Sequence, residues 1–517
     1  MTEFEKLRNN FEEKFIPLHR DSAIAYFDAS ISGSDADYQK SADLETKTSD
    51  MLSDPETFAQ IKMIKEKGEL TDPLEKRELQ DLYNSYLSHQ VEPAKLEALI
   101  NLQTEVEKKF ATFRAEVKGK SLTDNDIIDL LQNSSDQLEL QMAWEESKKV
   151  GREVSDDVIK LAKMRNEIAK SVGFNNYHEM SLELDEQSPA EIEKLFDELD
   201  LLTGPAFREA KNEIDLFLTK KFSISLEDLR PWHFQDRFFQ EAPKIYPVDL
   251  DKYYKDKDLV AITEDYFGKI GLPIEDILTR SDLFEKPGKN QHAYCMDTDR
   301  EGDIRVLCNV KSNLKWMDTM LHEFGHAVYE KFIDPKLPWL LHLPSHTFTT
   351  EAVAIFFGAL ASNSAWLRQN LAISKPEAEK ITKPSFQQIR LEKLIFSRWA
   401  QVVYRFEKSM YEDPDQDLND LWWKLVERYQ GIAKPIGREE PDWAAKIHLA
   451  TVPAYYHNYL LGTLLSSQIK ASLIAKMPEI AQNGFSNDVE IGNWFKQYIF
   501  LPGNRFYWDE MIERATG

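Results

Sequence analysis

Four residues in the middle of the chain have the types and spacing of a metal-assisted hydrolytic site. The stretch Asn313 to Glu330 reads NLKWMDTMLHEFGHAVYE. His322 and His326 stand one helical turn apart, about 6 Å along the axis, so both imidazoles can reach one ion. Glu323 lies between them and can touch an ion-bound water without being a ligand, which is the H-E-x-x-H arrangement. The third ligand is read as Glu351, the one acid in the apolar run Thr349–Phe357. A carboxylate isolated there is costly unless it is paired or metal-bound. His342 and His346 are rivals, but they fall on a Pro-containing connection and are read as lining or surface residues. Two neutral imidazoles and one carboxylate suit an open tetrahedral zinc site, with one Zn2+ expected per chain.

The elements that must carry these residues are mostly helical. Leu314, Met317, Leu321, Phe324 and Val328 step by three and four, the apolar face of a helix that would present both histidines. The same spacing runs through Leu96, Leu99, Ile100 and Leu102 and on to Val106, Phe110, Phe113 and Val117. Clusters such as Ser32-Gly33-Ser34-Asp35 and Asp72-Pro73 separate helices. The best strand signal is Gln291–Met296, a turn at Asp299–Gly302, then Ile304–Cys308, a hairpin just before the histidine helix. Its arms carry both cysteines, Cys295 and Cys308, read as two ordinary thiols in preference to a cross-strand disulfide. The expectation is a large, mostly α body with a small sheet in its middle.

With 517 residues, 42% of them hydrophobic, the chain can fill a substantial core. Lys and Arg number 64 against 89 Asp and Glu, a formal charge of −25. Such a surface repels phosphate backbones and anionic lipid, so neither nucleic acid nor membrane is expected as a partner. The start, MTEFEKLR, lacks the apolar segment of a signal peptide. No stretch reaches the roughly 18 apolar residues of a membrane span, so a cytoplasmic, monomeric protein is expected.

Further along, Trp422 to Ile432 leads to Lys446-Ile447-His448 and then to Val452-Pro453-Ala454-Tyr455-Tyr456-His457-Asn458-Tyr459. With these segments the chain resembles the angiotensin-converting-enzyme family of zinc peptidyl-dipeptidases, gluzincins of the H-E-x-x-H plus Glu type. More distantly it is similar to thimet- and neurolysin-type oligopeptidases. The likeness covers some 300 residues, from about Met164 through Pro231-Trp232-His233, the hairpin and the zinc helices to Tyr459. It implies a helical, two-lobed ellipsoid with a deep central cleft. Residues 1–517 would form one catalytic unit, with 1–110 a helical lid region and 111–517 the catalytic body. Within that body lie the zinc site (313–357) and a substrate-binding segment (420–465).

Residue by residue, the resemblance implies zinc ligands His322, His326 and Glu351, with Glu323 as general base. It assigns Lys446 to the substrate's free carboxylate, and His448 with Tyr459 to the oxyanion. His292 and Ala293 match the strand that lies against the substrate backbone. The carboxylate tyrosine and the oxyanion tyrosine are three apart. Tyr456 and Tyr459 keep that spacing if one residue is inserted after His448, the preferred register because it retains the oxyanion phenol. Without the insertion Tyr455 and Asn458 would occupy those places. Trp422 and Trp423 are read as core. The metzincin extension fails, because Tyr329 and Phe332 stand where Gly and His are required.

Several positions depart from the family. Val426 and, in the inserted register, Asn458 stand where the family commonly has arginines that hold activating chloride, so chloride is not expected as a cofactor. Ile355 stands where an acid four residues after the third ligand is common. A glutamine that helps hold the substrate carboxylate falls near Asp251 or Lys252. The leading expectation is a peptidase that releases C-terminal dipeptides from short peptides. The enzyme alternatives are internal cleavage or a carboxypeptidase taking single residues. A non-catalytic peptide-binding scaffold is disfavoured by the intact His322, Glu323, His326 and Glu351.

Overall fold

The computed structural model describes residues 1–246 and 248–517. Helices dominate, and the described strands make two small antiparallel hairpins. The chain divides into two compact units. The first comprises Met1–Gln90, Val248–Ser385 and Leu461–Gly517, and the second Val91–Pro247 and Phe386–Leu460.

In the first unit, the N-terminal helix Glu3–Ser32 starts on a capping box, the Thr2 hydroxyl and the Glu5 carboxylate each accepting the other residue's N–H. Its buried face, Phe4, Leu7, Phe11 and Phe15, packs with Ile61, Leu82, Tyr86 and Trp339. Gly33 and Asp72 punctuate the chain as expected: Gly33 ends this helix at φ 64°, and Asp72 caps the helix Pro73–Ser88.

The histidine helix spans Leu314–Lys331, with Asn313 as its N-cap accepting from the Trp316 N–H at 2.9 Å. Met317, Leu321, Phe324 and Val328 are fully buried, the stripe expected from their spacing. The glutamate helix spans Thr347–Gly358 and lies directly on it. Gly325 permits the approach: a Cβ there would stand 3.0 Å from Ala354 Cα. The hairpin Tyr294–Asp297 and Ile304–Leu307 packs on the histidine helix and pairs Tyr294 with Leu307 and Cys295 with Val306. Both cysteines are free thiols. The strand begins at Tyr294, later than the sequence pattern suggests, because the chain bends at Gln291 and His292 and these residues have no ladder partners.

The second unit has its own core, in which Trp144, Trp399, Trp422, Trp423 and Trp443 meet Phe406 and Leu449. Trp422 and Trp423 are core residues, as expected. One segment differs from its sequence reading. The helix Pro93–Thr112 ends before Val117, which belongs instead to the hairpin Ala115–Val117 and Lys120–Leu122. Lys118 and Gly119 both have positive φ (51° and 74°), the two-residue turn that suits a tight hairpin. The Lys-Gly turn was the signal that the helical spacing of Val117 concealed.

Candidate metal centre and carboxylate-binding residues

His322 and His326 project from one face of the histidine helix, their rings 4.9 Å apart and near perpendicular. Glu351 reaches both: one carboxylate oxygen lies 3.7 Å from His322 Nε2 and the other 3.8 Å from His326 Nε2. One ligand atom from each residue falls within 4.8 Å of the others. Burial holds both imidazoles neutral, lowering His322 to about 4 and His326 to about 3. Burial also raises Glu351 to about 7, and burial followed by the charge of Glu351 raises Glu323 to about 8. Two unprotonated imidazoles facing carboxylates that lack a counter-charge fit a divalent cation, which would relieve that imbalance.

The group that orients His326 was missed by sequence reasoning. Its Nδ1 lies 2.7 Å from Thr350 Oγ1, which leaves Nε2 turned toward Glu351. A Thr beside the candidate ligand Glu351 carries no signature of such a contact; only helix-on-helix packing reveals it. The rival histidines are not surface residues. His342 and His346 are both buried, because the connection carrying them is tucked against the body. His346 caps the glutamate helix, its Nδ1 accepting from the Phe348 N–H at 3.1 Å. Neither belongs to the three-ligand group. Asp251, one position proposed for a substrate-holding glutamine, accepts from the Leu314 N–H at 2.9 Å at the start of the histidine helix. His292 is exposed and, with Ala293, precedes the strand that starts at Tyr294.

In the second unit, Lys446 and His448 line a cavity of about 410 Å3 together with Gln240 and Glu241. Lys446 Nζ donates to Gln240 Oε1 at 2.7 Å. Its ammonium lies over three aromatic faces, Tyr456 at 5.2 Å, Trp399 at 5.3 Å and Phe238 at 5.6 Å. Burial lowers its pKa to about 8. The Tyr456 hydroxyl accepts from Trp399 Nε1 at 2.7 Å, and its ring lies 5.4 Å from that of His448 and 5.3 Å from that of Tyr459. Tyr455 stacks edge-on against Tyr459 at 5.2 Å. Burial and then the charge of Lys446 lower His448 to about 4.

The turn that presents these tyrosines is held from below. Arg165 donates to the carbonyls of Leu449 and Ala450, and Glu407 accepts from the Ala454 N–H at 2.8 Å. Ala454 adopts φ 54°, a left-handed conformation costly for a residue with a Cβ. Gln240 was the second omission. It lies 206 residues from Lys446 in sequence, and no local spacing ties the two together.

Comparison with known proteins follows the same line. A family model described as angiotensin-converting enzyme matches residues 2–203 and 241–517. The chain is 23% identical over 451 residues to angiotensin-converting enzyme-like protein Ace3 of Mus musculus, covering 78% of this chain and 59% of that protein. It is 22% identical over 388 residues to angiotensin-converting enzyme of Mesocricetus auratus, covering 67% of this chain but 28% of that protein. With angiotensin-converting enzyme of Theromyzon tessulatum it shares 21% identity over 502 residues, 86% of this chain and 78% of the relative. The chain thus spans less than two thirds of the length of the first two relatives.

Proposed function

We propose, from the premise that this chain belongs to the angiotensin-converting-enzyme family, that it is a zinc peptidase acting on short peptides and releasing dipeptides from their C-terminus. The observation that carries the reading is the convergence of His322, His326 and Glu351 within 4.8 Å, with Glu323 one residue beyond the first ligand. A zinc ion bound there would supply Lewis-acid polarisation of the scissile carbonyl and acidify the attacking water.

Glu323 takes a proton from that water and passes it to the leaving amine. His448 and Tyr459 donate to the oxygen that gains negative charge as the carbonyl carbon becomes tetrahedral. Lys446 and Tyr456 hold the substrate's terminal carboxylate, and Gln240 keeps the Lys446 ammonium directed by its 2.7 Å contact. The dipeptide product rests on the family resemblance, in which Lys446 and Tyr456 match the residues that hold the free carboxylate.

The test is product mass spectrometry on two hexapeptides, one with a free C-terminus and one amidated. Release of a C-terminal dipeptide from the free acid and little turnover of the amide is expected. Equal internal cleavage of both would replace this reading with an oligopeptidase, and release of single residues with a carboxypeptidase.

A further inference from the structure

The long helix Pro189–Phe222 of the second unit runs without interruption through Gly204-Pro205. Pro205 has no N–H to give the Leu201 carbonyl, so the helix is weakened at that turn. Beside that turn lies a groove of about 590 Å3, a volume within the range of small-molecule sites. Its charged lining is Arg208, Lys211, Arg398 and Arg428 against Asp200 and Asp215, two net positive charges in a chain of net charge −25.

The local pairings leave part of that charge unmatched. Lys211 Nζ bonds both Asp215 oxygens, at 2.7 and 2.8 Å. Arg398 pairs with Asp200 and donates to Thr203 Oγ1 at 2.6 Å. Arg208 and Arg428 are exposed and have no ion-pair partner among the described residues. Two buried lining groups also lack a hydrogen-bond partner, Arg398 Nε and the Tyr429 hydroxyl. The Tyr429 ring lies 4.9 Å from the Arg428 guanidinium and 5.3 Å from that of Arg405.

A guanidinium only donates, and a phenol beside guanidinium groups has no acceptor among them. Beyond the pairs made by Asp200 and Asp215, the groove therefore presents unmatched donors and positive charge, the complement of a ligand rich in anionic oxygens. We propose that this groove binds a small organic polyanion carrying at least two phosphate or carboxylate groups, held by Arg208 and Arg428 over Tyr429. The site is separate from the peptidase residues, and the proposal stands whether or not that activity is as described above.

The experiment is calorimetric titration of the full chain with inorganic pyrophosphate and with tricarballylate, against sodium chloride at matched ionic strength. The parent should bind at least one polyanion well above the chloride background. Loss of an arginine–oxyanion contact should weaken binding about tenfold for each of Arg208→Gln and Arg428→Gln. Both side chains are exposed, so the ligand-free melting temperature should not move, and peptide hydrolysis should be unchanged. Tyr429→Phe, which keeps the buried ring, should weaken binding less. A response to pyrophosphate alone supports a phosphorylated ligand, and one to tricarballylate alone a polycarboxylate. Titration of the parent indistinguishable from chloride, or equal binding by the double arginine variant, overturns the proposal.

Discussion

Thr350→Val removes one oxygen and changes almost nothing else. The hydroxyl lies 2.7 Å from His326 Nδ1 and holds the ring with Nε2 toward Glu351 at 3.8 Å; a metal on Nε2 would put the ring proton on Nδ1, with the hydroxyl as its acceptor. Valine keeps the branched shape, so packing between the two helices is preserved while a buried ring N–H loses its acceptor. Such a loss costs about 1–3 kcal/mol. Removal of a group that orients a metal-binding histidine weakens metal affinity about 10–100-fold, or about 1.4–2.7 kcal/mol. The two estimates agree, and they apply to the metal-loaded protein because only there must the ring hold one orientation. The assay is zinc dissociation measured by competition with a chromophoric chelator, on the parent, Thr350→Val and Thr350→Ser. Thr350→Ser retains the oxygen and should bind within a fewfold of the parent. Parental affinity in Thr350→Val, or equal weakening in both variants, would refute the orienting role.

Glu323→Gln is expected to keep zinc and lose turnover, because an amide cannot accept the water proton, whereas Glu351→Gln should lose metal; substantial activity in the first or full occupancy in the second would reverse those roles. Lys446, lowered to about 8 by burial, is charged below that pH and neutral above it, so kcat/KM on a free-acid peptide should fall as pH rises through about 8. Lys446→Arg should abolish that fall, and a profile unchanged by the substitution would show that another group titrates. Activity is expected to be independent of chloride. Val426 lines a cavity of about 20 Å3 in which Lys148 is buried against Phe238, its amine driven well below the usual lysine value, and Arg237 is committed to Asp124. Asn458 is tied to Gln187 at 2.7 Å and Asp185 at 3.3 Å. A several-fold rate increase in chloride over acetate at matched ionic strength would place a fixed positive charge that these pairings do not leave.

Local pattern carried much of this protein. The three-four spacing of Met317, Leu321, Phe324 and Val328 was enough to place His322 and His326 on one helix, since helical geometry alone dictates which side chains share a face. Glu351 was legible because a lone acid in an apolar run needs a partner, and its partners proved to be within 3.8 Å. The hairpin before the histidine helix was legible from its turn and alternation. Spacing misled at Val117, where helical periodicity ran on through a tight turn, and burial misled at His342 and His346, where polar residues on a Pro-containing connection were read as lining or surface residues. Tertiary structure alone supplied Thr350 against His326, Gln240 against Lys446, and Trp399 against the Tyr456 hydroxyl. Periodicity reports the direction of a side chain relative to its own element. A hydrogen-bond partner is chosen by a second element whose approach depends on the packing of the whole core, and that information is not written in any local stretch of the chain.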